Sequence, residues 1–252
     1  MAETVWHDEF AGPAGAPPDP SVWRPETGAG GWGNDELQTY TDSRANAALD
    51  GEGHLVITAR RGPGGRFTSA RLITQGLLEV RYGRVEARVR VPAGRGVWPA
   101  FWMLGTRLGA VPWPDCGEID VMEVIGHEPH VVHGTVHGPG YAGASGITAS
   151  HAQAGRESLA DAFHVYAVDW EPGRVTWSVD GTAYHQVTRD GIGADRWVFD
   201  QPFFLLLNLA VGGGWPGDPD ASTVFPQQLV VDHVRVRARP GGQRPQIVRD
   251  RG

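Results

Sequence analysis

Short apolar runs of strand length, each closed by glycine or proline turns, recur along the whole chain, and almost nothing carries a helical repeat. HLVITAR (54–60), GRVEARVRV (83–91), WPAFWML (98–104), GEIDVMEV (117–124), VVHGTVH (131–137), FHVYAVDW (163–170), RVTWSVDG (174–181), FFLLLNLAV (203–211) and QLVVDHVRVRA (228–238) alternate or run apolar, and VWHDEF near the start precedes them. Between them stand PAGRG, EPGR, VDGT and GGGWPGDP, which are turn chemistry. Only RESLADAF (156–163) reads as briefly helical. Strands without a helical layer must bury their apolar faces against another sheet, so an all-β sandwich is expected. The 36 Gly, 19 Pro and 10 Trp suit that architecture better than a helical bundle.

At 252 residues, with no repeat or linker, one domain over residues 1–238 is expected. RPGGQRPQIVRDRG (239–252) loses apolar periodicity and reads as a mobile tail. The net charge of −7, with 22 basic residues that are all arginine and form no stripe, argues against a nucleic-acid partner. No apolar run approaches membrane-spanning length. A single cysteine, Cys116, excludes an internal disulfide and a cysteine-based zinc site, and reads as a small buried side chain. MAETVWHDEF lacks a signal pattern, which fits either a trimmed mature form or an intracellular protein.

The chemistry concentrates in CGEIDVMEV (116–124). Glu118 and Asp120 share a face of an extended strand, whereas Glu123, five residues after Glu118, falls on the other. One extra residue at Val121-Met122, a β-bulge, would bring Glu123 round. Two glutamates would then flank a common space with an aspartate between them, the pattern of retaining glycosidases, whose carboxyls stand roughly 5–5.5 Å apart. Crowded acids cannot all ionise, so at least one should stay protonated near neutral pH. Spacing alone is equally consistent with an acid cluster holding a divalent cation.

Neighbouring strands add to the picture. Trp98, Ala100 and Trp102 alternate onto one face, opposite Val97, Pro99, Phe101 and Met103, and two indoles on one face suit either a sugar platform or a core. His133, Thr135 and His137 share a face of the next run, where a histidine can orient or protonate carboxylates. A metal reading of that pair lacks a third histidine at suitable spacing.

GEIDVMEVIG, GRVEARVRVPAGRGVWPAFWML, HGTVHGPGY, WGNDELQTYTD and FFLLLNLAVGGGWPGDPD, which agree in order and spacing along the chain, resemble glycoside hydrolase family 16, specifically laminarinase-like endo-β-1,3-glucanases, over about Val5 to Arg237. The resemblance implies a β-jelly-roll of two curved antiparallel sheets with a cleft on the concave face. It also implies Glu118 as nucleophile, Glu123 as general acid/base, Asp120 as the assisting carboxylate and His137 beside them. Asn34, Arg84, Trp98, Trp102 and Trp215 match sugar-binding positions, and Gly214 departs from the asparagine often found in that loop. A structural calcium is implied at Glu9, the backbone of Gly53 and Asp232, with no cofactor for catalysis. The implied protein is an extracellular monomer acting on β-1,3-glucan; a non-catalytic glucan-binding protein on the same fold, or a family hydrolase of mixed-linkage glucan or agarose, is the alternative.

Overall fold

The computed structural model describes residues 3–239 and 241–249. Two sheets pack face to face. The nine-stranded sheet runs Ile147–Ala152, Val131–His137, Glu118–Glu123, Val97–Gly105, Phe203–Val211, Arg71–Ile73, Arg24–Pro25, with Leu78–Arg81 also paired to Phe203–Val211. The ten-stranded sheet is centred on Gly83–Arg90 and Gln227–Arg237, flanked by His164–Glu171 on one side and Leu55–Arg61 on the other. Thr4–Asp8 adds to Gln227–Arg237. Pairing is antiparallel except between Gln38–Tyr40 and Phe67–Ser69, which are parallel.

Strand alternation explains the core. In Val97–Gly105, Val97, Phe101 and Met103 point inward and are fully buried, while Trp98 and Trp102 on the other face stay partly accessible. Val85, Ala87 and Val89 meet them from the opposite sheet, and Arg84, Glu86 and Arg88 alternate onto its outer face. Phe203–Val211 is buried at every position because it is central in its sheet and covered on both faces.

Two expectations fail. RESLADAF is not a helix; a single 3-10 turn at Ala154–Arg156 precedes irregular chain, which Leu159 anchors by its buried side chain and by an N–H donated to the Pro129 carbonyl at 2.7 Å. The one α-helical turn among the described residues is Arg189–Ile192, where the Thr188 hydroxyl accepts from Gly191 N–H. The tail reading of 239–252 also fails through Arg249: Gln246–Arg249 pairs antiparallel with Leu78–Arg81, and Ile247 packs against the core. Four residues with one inward apolar side chain give too little periodicity to announce a strand; the free edge of Leu78–Arg81 supplies the pairing. The domain thus extends beyond 238, and residues 250–252 lie outside the described residues.

Truncating the half-buried Ile247 to alanine should cost about 1 kcal/mol. A thermal melt should then fall by about 2–4 °C, whereas a free tail would leave it unchanged.

Candidate active site

The Glu118–Glu123 strand lies between Val97–Gly105 and Val131–His137 and breaks register with both. On one side Trp102 faces Asp120 but Phe101 faces Met122, and on the other Thr135 faces Asp120 but His133 faces Glu123. One residue is therefore extra, and Val121 and Met122 both go into the core, at 1% and 0% exposure. The bulge turns Glu123 back onto the cleft face that carries Glu118 and Asp120, and all three line one cleft of about 900 Å³.

Each acid has a distinct neighbour. Trp98 Nε1 donates to Glu123 Oε1 at 3.1 Å, and Trp113 Nε1 donates to Glu118 Oε2 at 2.8 Å. His137 Nε2 stands 3.3 Å from Asp120 Oδ2 and 3.7 Å from Glu118 Oε1. Burial pushes the Glu118 carboxyl up to about 8, with the Asp120 charge adding to the rise and His137 and Trp113 opposing it. Burial also raises Asp120 and, most strongly, Glu123, which the negative charges of Asp120 and Glu118 hold higher still.

Around the acids the cleft is aromatic. Trp215 is 43% exposed and sets its ring edge-on to Trp98 and to His133, at centroid distances of 5.4 and 4.9 Å. Trp102 Nε1 donates to Asn208 Oδ1 at 2.6 Å, and Asn34 Nδ2 donates to Glu36 Oε1 at 3.0 Å. Gly214 lines the same cleft, and a Cβ there would meet nothing within 4 Å, so the missing side chain leaves open space.

Arg84 is a correction. It sits on the outer face of the ten-stranded sheet, where it donates to Glu86 Oε2 at 2.7 Å and Asp169 Oδ2 at 3.2 Å, away from the cleft. The cleft arginine is Arg71, whose guanidinium lies between the rings of Trp32 (4.9 Å) and Trp102 (4.7 Å) and pairs with Glu26 at 2.6 Å. Arg71, Trp32, Glu36, Trp113 and Asn208 escaped the sequence reading. Asn208, the one polar residue inside FFLLLNLAV, was the available signal; Trp32, Glu36 and Trp113 come from irregular chain where alternation says nothing. Cys116 is fully buried and its thiol is pushed up to about 11 by burial, which removes it as a nucleophile.

Glu9, Gly53 and Asp232 come from three adjoining segments of the ten-stranded sheet. The Glu9 carboxylate is not free: Arg235 donates to both of its oxygens at 2.8 Å. Asp232 Oδ2 faces Arg88 at 3.1 Å and His233 at 2.9 Å, while the nearest base to Oδ1 is His54 at 3.8 Å. The main-chain carbonyl of Glu9 lies 3.8 Å from where a Cβ on Gly53 would stand. Oxygens that fit a hard cation here are thus the Glu9 carbonyl and Asp232 Oδ1, not the Glu9 carboxylate.

The family profile described as Glycosyl hydrolases family 16 matches residues 34–233. The chain belongs to glycosyl hydrolase family 16. The family match spans every cleft residue named above except Trp32. A Rhodothermus marinus protein named Beta-glucanase is 47% identical over 247 residues, covering 93% of this chain and 84% of that protein. Two solved structures are equally similar in shape. The endo-beta-1,3-glucanase from Pyrococcus furiosus superposes with a TM-score of 0.87 at 46% identity over 94% of each chain. The laminarinase catalytic domain from Thermotoga maritima superposes with a TM-score of 0.88 at 43% identity, over 95% of this chain and 99% of that one.

The raised carboxyls of this family-16 cleft make a prediction about stability. A carboxyl raised in the folded state binds its proton more tightly than in the unfolded chain, so its contribution is full below the ordinary carboxylate range and is lost as pH rises through the raised value. Glu123→Gln should therefore melt higher than wild type at pH 8, and the difference should close towards pH 4. Equal melts at pH 8 would show that Glu123 is not held high by burial.

Proposed function

We propose that the chain is an endo-acting β-1,3-glucanase that hydrolyses glucans such as laminarin with retention of configuration. The observation that carries this is the bulge, which sets Glu118 and Glu123 on one face of an indole-lined cleft. Glu118, which receives the Trp113 N–H and faces His137, has the better-stabilised anion and attacks the anomeric carbon. Glu118 and Asp120 share a proton, and attack requires that it pass to Asp120, which leaves Glu118 ionised. Glu123, held protonated by burial and two negative neighbours, protonates the leaving oxygen. It then removes a proton from the water that releases the glycosyl group from Glu118.

Trp98, Trp102 and Trp215 offer ring faces and edges to sugar rings, with Asn34 and Arg71 supplying polar contacts. The names of the similar proteins support the β-1,3 linkage and endo action. A polymeric substrate too large to enter the producing cell supports action outside it. No helix among the described residues is long and apolar enough to cross a membrane.

Glu118→Gln and Glu123→Gln should each lower laminarin turnover by on the order of 10³-fold or more with the fold intact. Proton NMR early in hydrolysis, before mutarotation, should show the β anomer first. Appearance of the α anomer first would overturn the double displacement, and an inactive wild type on laminarin, lichenan and agarose would favour a glucan-binding protein instead.

The same reading includes a structural calcium held by the carbonyls of Glu9 and Gly53 and by Asp232 Oδ1. Bound there it would tie the first strand to Gln227–Arg237 and to the segment before Leu55–Arg61. Chelation should lower the melting temperature, and added calcium should restore it in proportion to RT ln(1 + [L]/Kd). Asp232→Asn should remove this response while Glu9→Gln keeps it, because Glu9 binds through its main chain. An unchanged melt with chelator would remove the site.

A further inference from the structure

Trp177 lies on Arg174–Val179 in the ten-stranded sheet and is fully buried. Its indole N–H crosses the core to the other sheet and donates to the main-chain carbonyl of Asp120 at 2.7 Å. That carbonyl stands where the acid strand loses register with both neighbours, between Asp120 and Glu123. A bulge leaves backbone polar groups without ladder partners, and in a dry interior such a group needs a donor from elsewhere. The two other most deeply buried indoles serve different partners: Trp23 donates to Asp8 and Trp170 to the Phe199 carbonyl. Burial alone therefore does not account for where the Trp177 N–H goes.

The surroundings of the indole are built to hold it there. Gly134, in the strand facing the bulge between the residues paired to Asp120 and Glu123, has no room for a side chain. A Cβ there would stand 2.4 Å from Trp177 Cδ1 and 2.6 Å from the Tyr184 hydroxyl. On the other side, pairing between Arg174–Val179 and Thr182–Thr188 also slips at Trp177: Trp177 faces His185, Ser178 faces Ala183, and Tyr184 is extra. The slip sets the His185 ring against the indole at a centroid distance of 4.7 Å. Two irregular strands thus meet back to back across the core, with the Trp177 indole between them.

We propose that Trp177 is a positioning residue whose indole N–H holds the Asp120 carbonyl at the mouth of the bulge and so keeps Glu123 turned towards Glu118. The claim rests on the acid/base role given to Glu123 above. It goes further in saying that the orientation of the acid is set by a hydrogen bond from the opposite sheet. A misplaced acid slows departure of a poor leaving group and matters little for a good one. Loss of packing would slow both alike.

The test is Trp177→Phe, assayed on laminarin and on a dinitrophenyl β-laminarioligoside whose phenolate leaves without protonation. Laminarin kcat should fall by about 10- to 100-fold with KM changed less than about two-fold, as expected when a reacting group is misplaced by a fraction of an ångström to one ångström. The pre-steady-state burst of dinitrophenolate should stay within about three-fold of wild type, since that step does not need the acid. Glu123→Gln, run beside it, should show the same dependence on leaving group. If Glu123→Gln shows none, the acid assignment itself is wrong; if Glu123→Gln shows it and Trp177→Phe does not, only the positioning role falls. Should Trp177→Phe fail to fold, β-(3-benzothienyl)alanine at position 177 keeps the ring shape and replaces N–H by sulfur. Wild-type laminarin kcat in that variant would overturn the proposal.

Discussion

One inserted residue decides what the cleft can do. Were the same residues paired without a bulge, the side-chain period of two would send Glu123 into the core and bring Met122 to the cleft. With it, Val121 and Met122 both enter the core, and the three acids gather on the open face. The neighbours accommodate the insertion: Gly134 has no side chain opposite it, the Trp98 N–H meets Glu123 beyond it, and the Trp177 N–H meets the Asp120 carbonyl before it. The bulge is a local departure from regular pairing that the surrounding sandwich over-determines.

The cleft is also electrostatically unfavourable. Three carboxyls are brought together out of water, with Asp120 only 3% exposed and its Oδ2 without a hydrogen-bond donor among the described residues. The outer face of the opposite sheet shows the reverse arrangement. Arg84 and Arg237 meet Glu86, Arg239 meets Asp169 and Glu171, and Arg235 meets Glu9, so acids there stand beside guanidinium groups. The fold sets these acids beside arginines and leaves the three catalytic carboxyls without a guanidinium partner, where a substrate can use them.

Much of this was legible in the chain. Long strands with period-two patterning, such as Val131–His137 and Phe203–Val211, were read with the bounds they have, because each buries one or both faces. The misplaced spacing of Glu123 announced the bulge, since only an extra residue reconciles three acids with one face. Short pieces such as Arg71–Ile73 and Gln246–Arg249 were not legible: three or four residues carry no period, and a neighbour's free edge decides their pairing. Arg84 failed for a related reason. It was implied by resemblance alone, and which side of the sandwich its strand's polar face looks onto is a matter of topology; Arg71 stands in the cleft instead. Trp113 reaches Glu118 from a loop, and Trp177 reaches Asp120 from the other sheet, contacts between residues 5 and 57 apart that local pattern cannot foresee.

The single cysteine bears on where such a chain can fold. Cys116 is enclosed beneath Leu104 and Phe204 and its thiol resists ionisation, so it offers neither a partner for cross-linking nor an easy target for oxidants. Nothing in the sandwich waits on thiol chemistry to close. The chain can reach its final shape in a reducing compartment and keep it in an oxidising one.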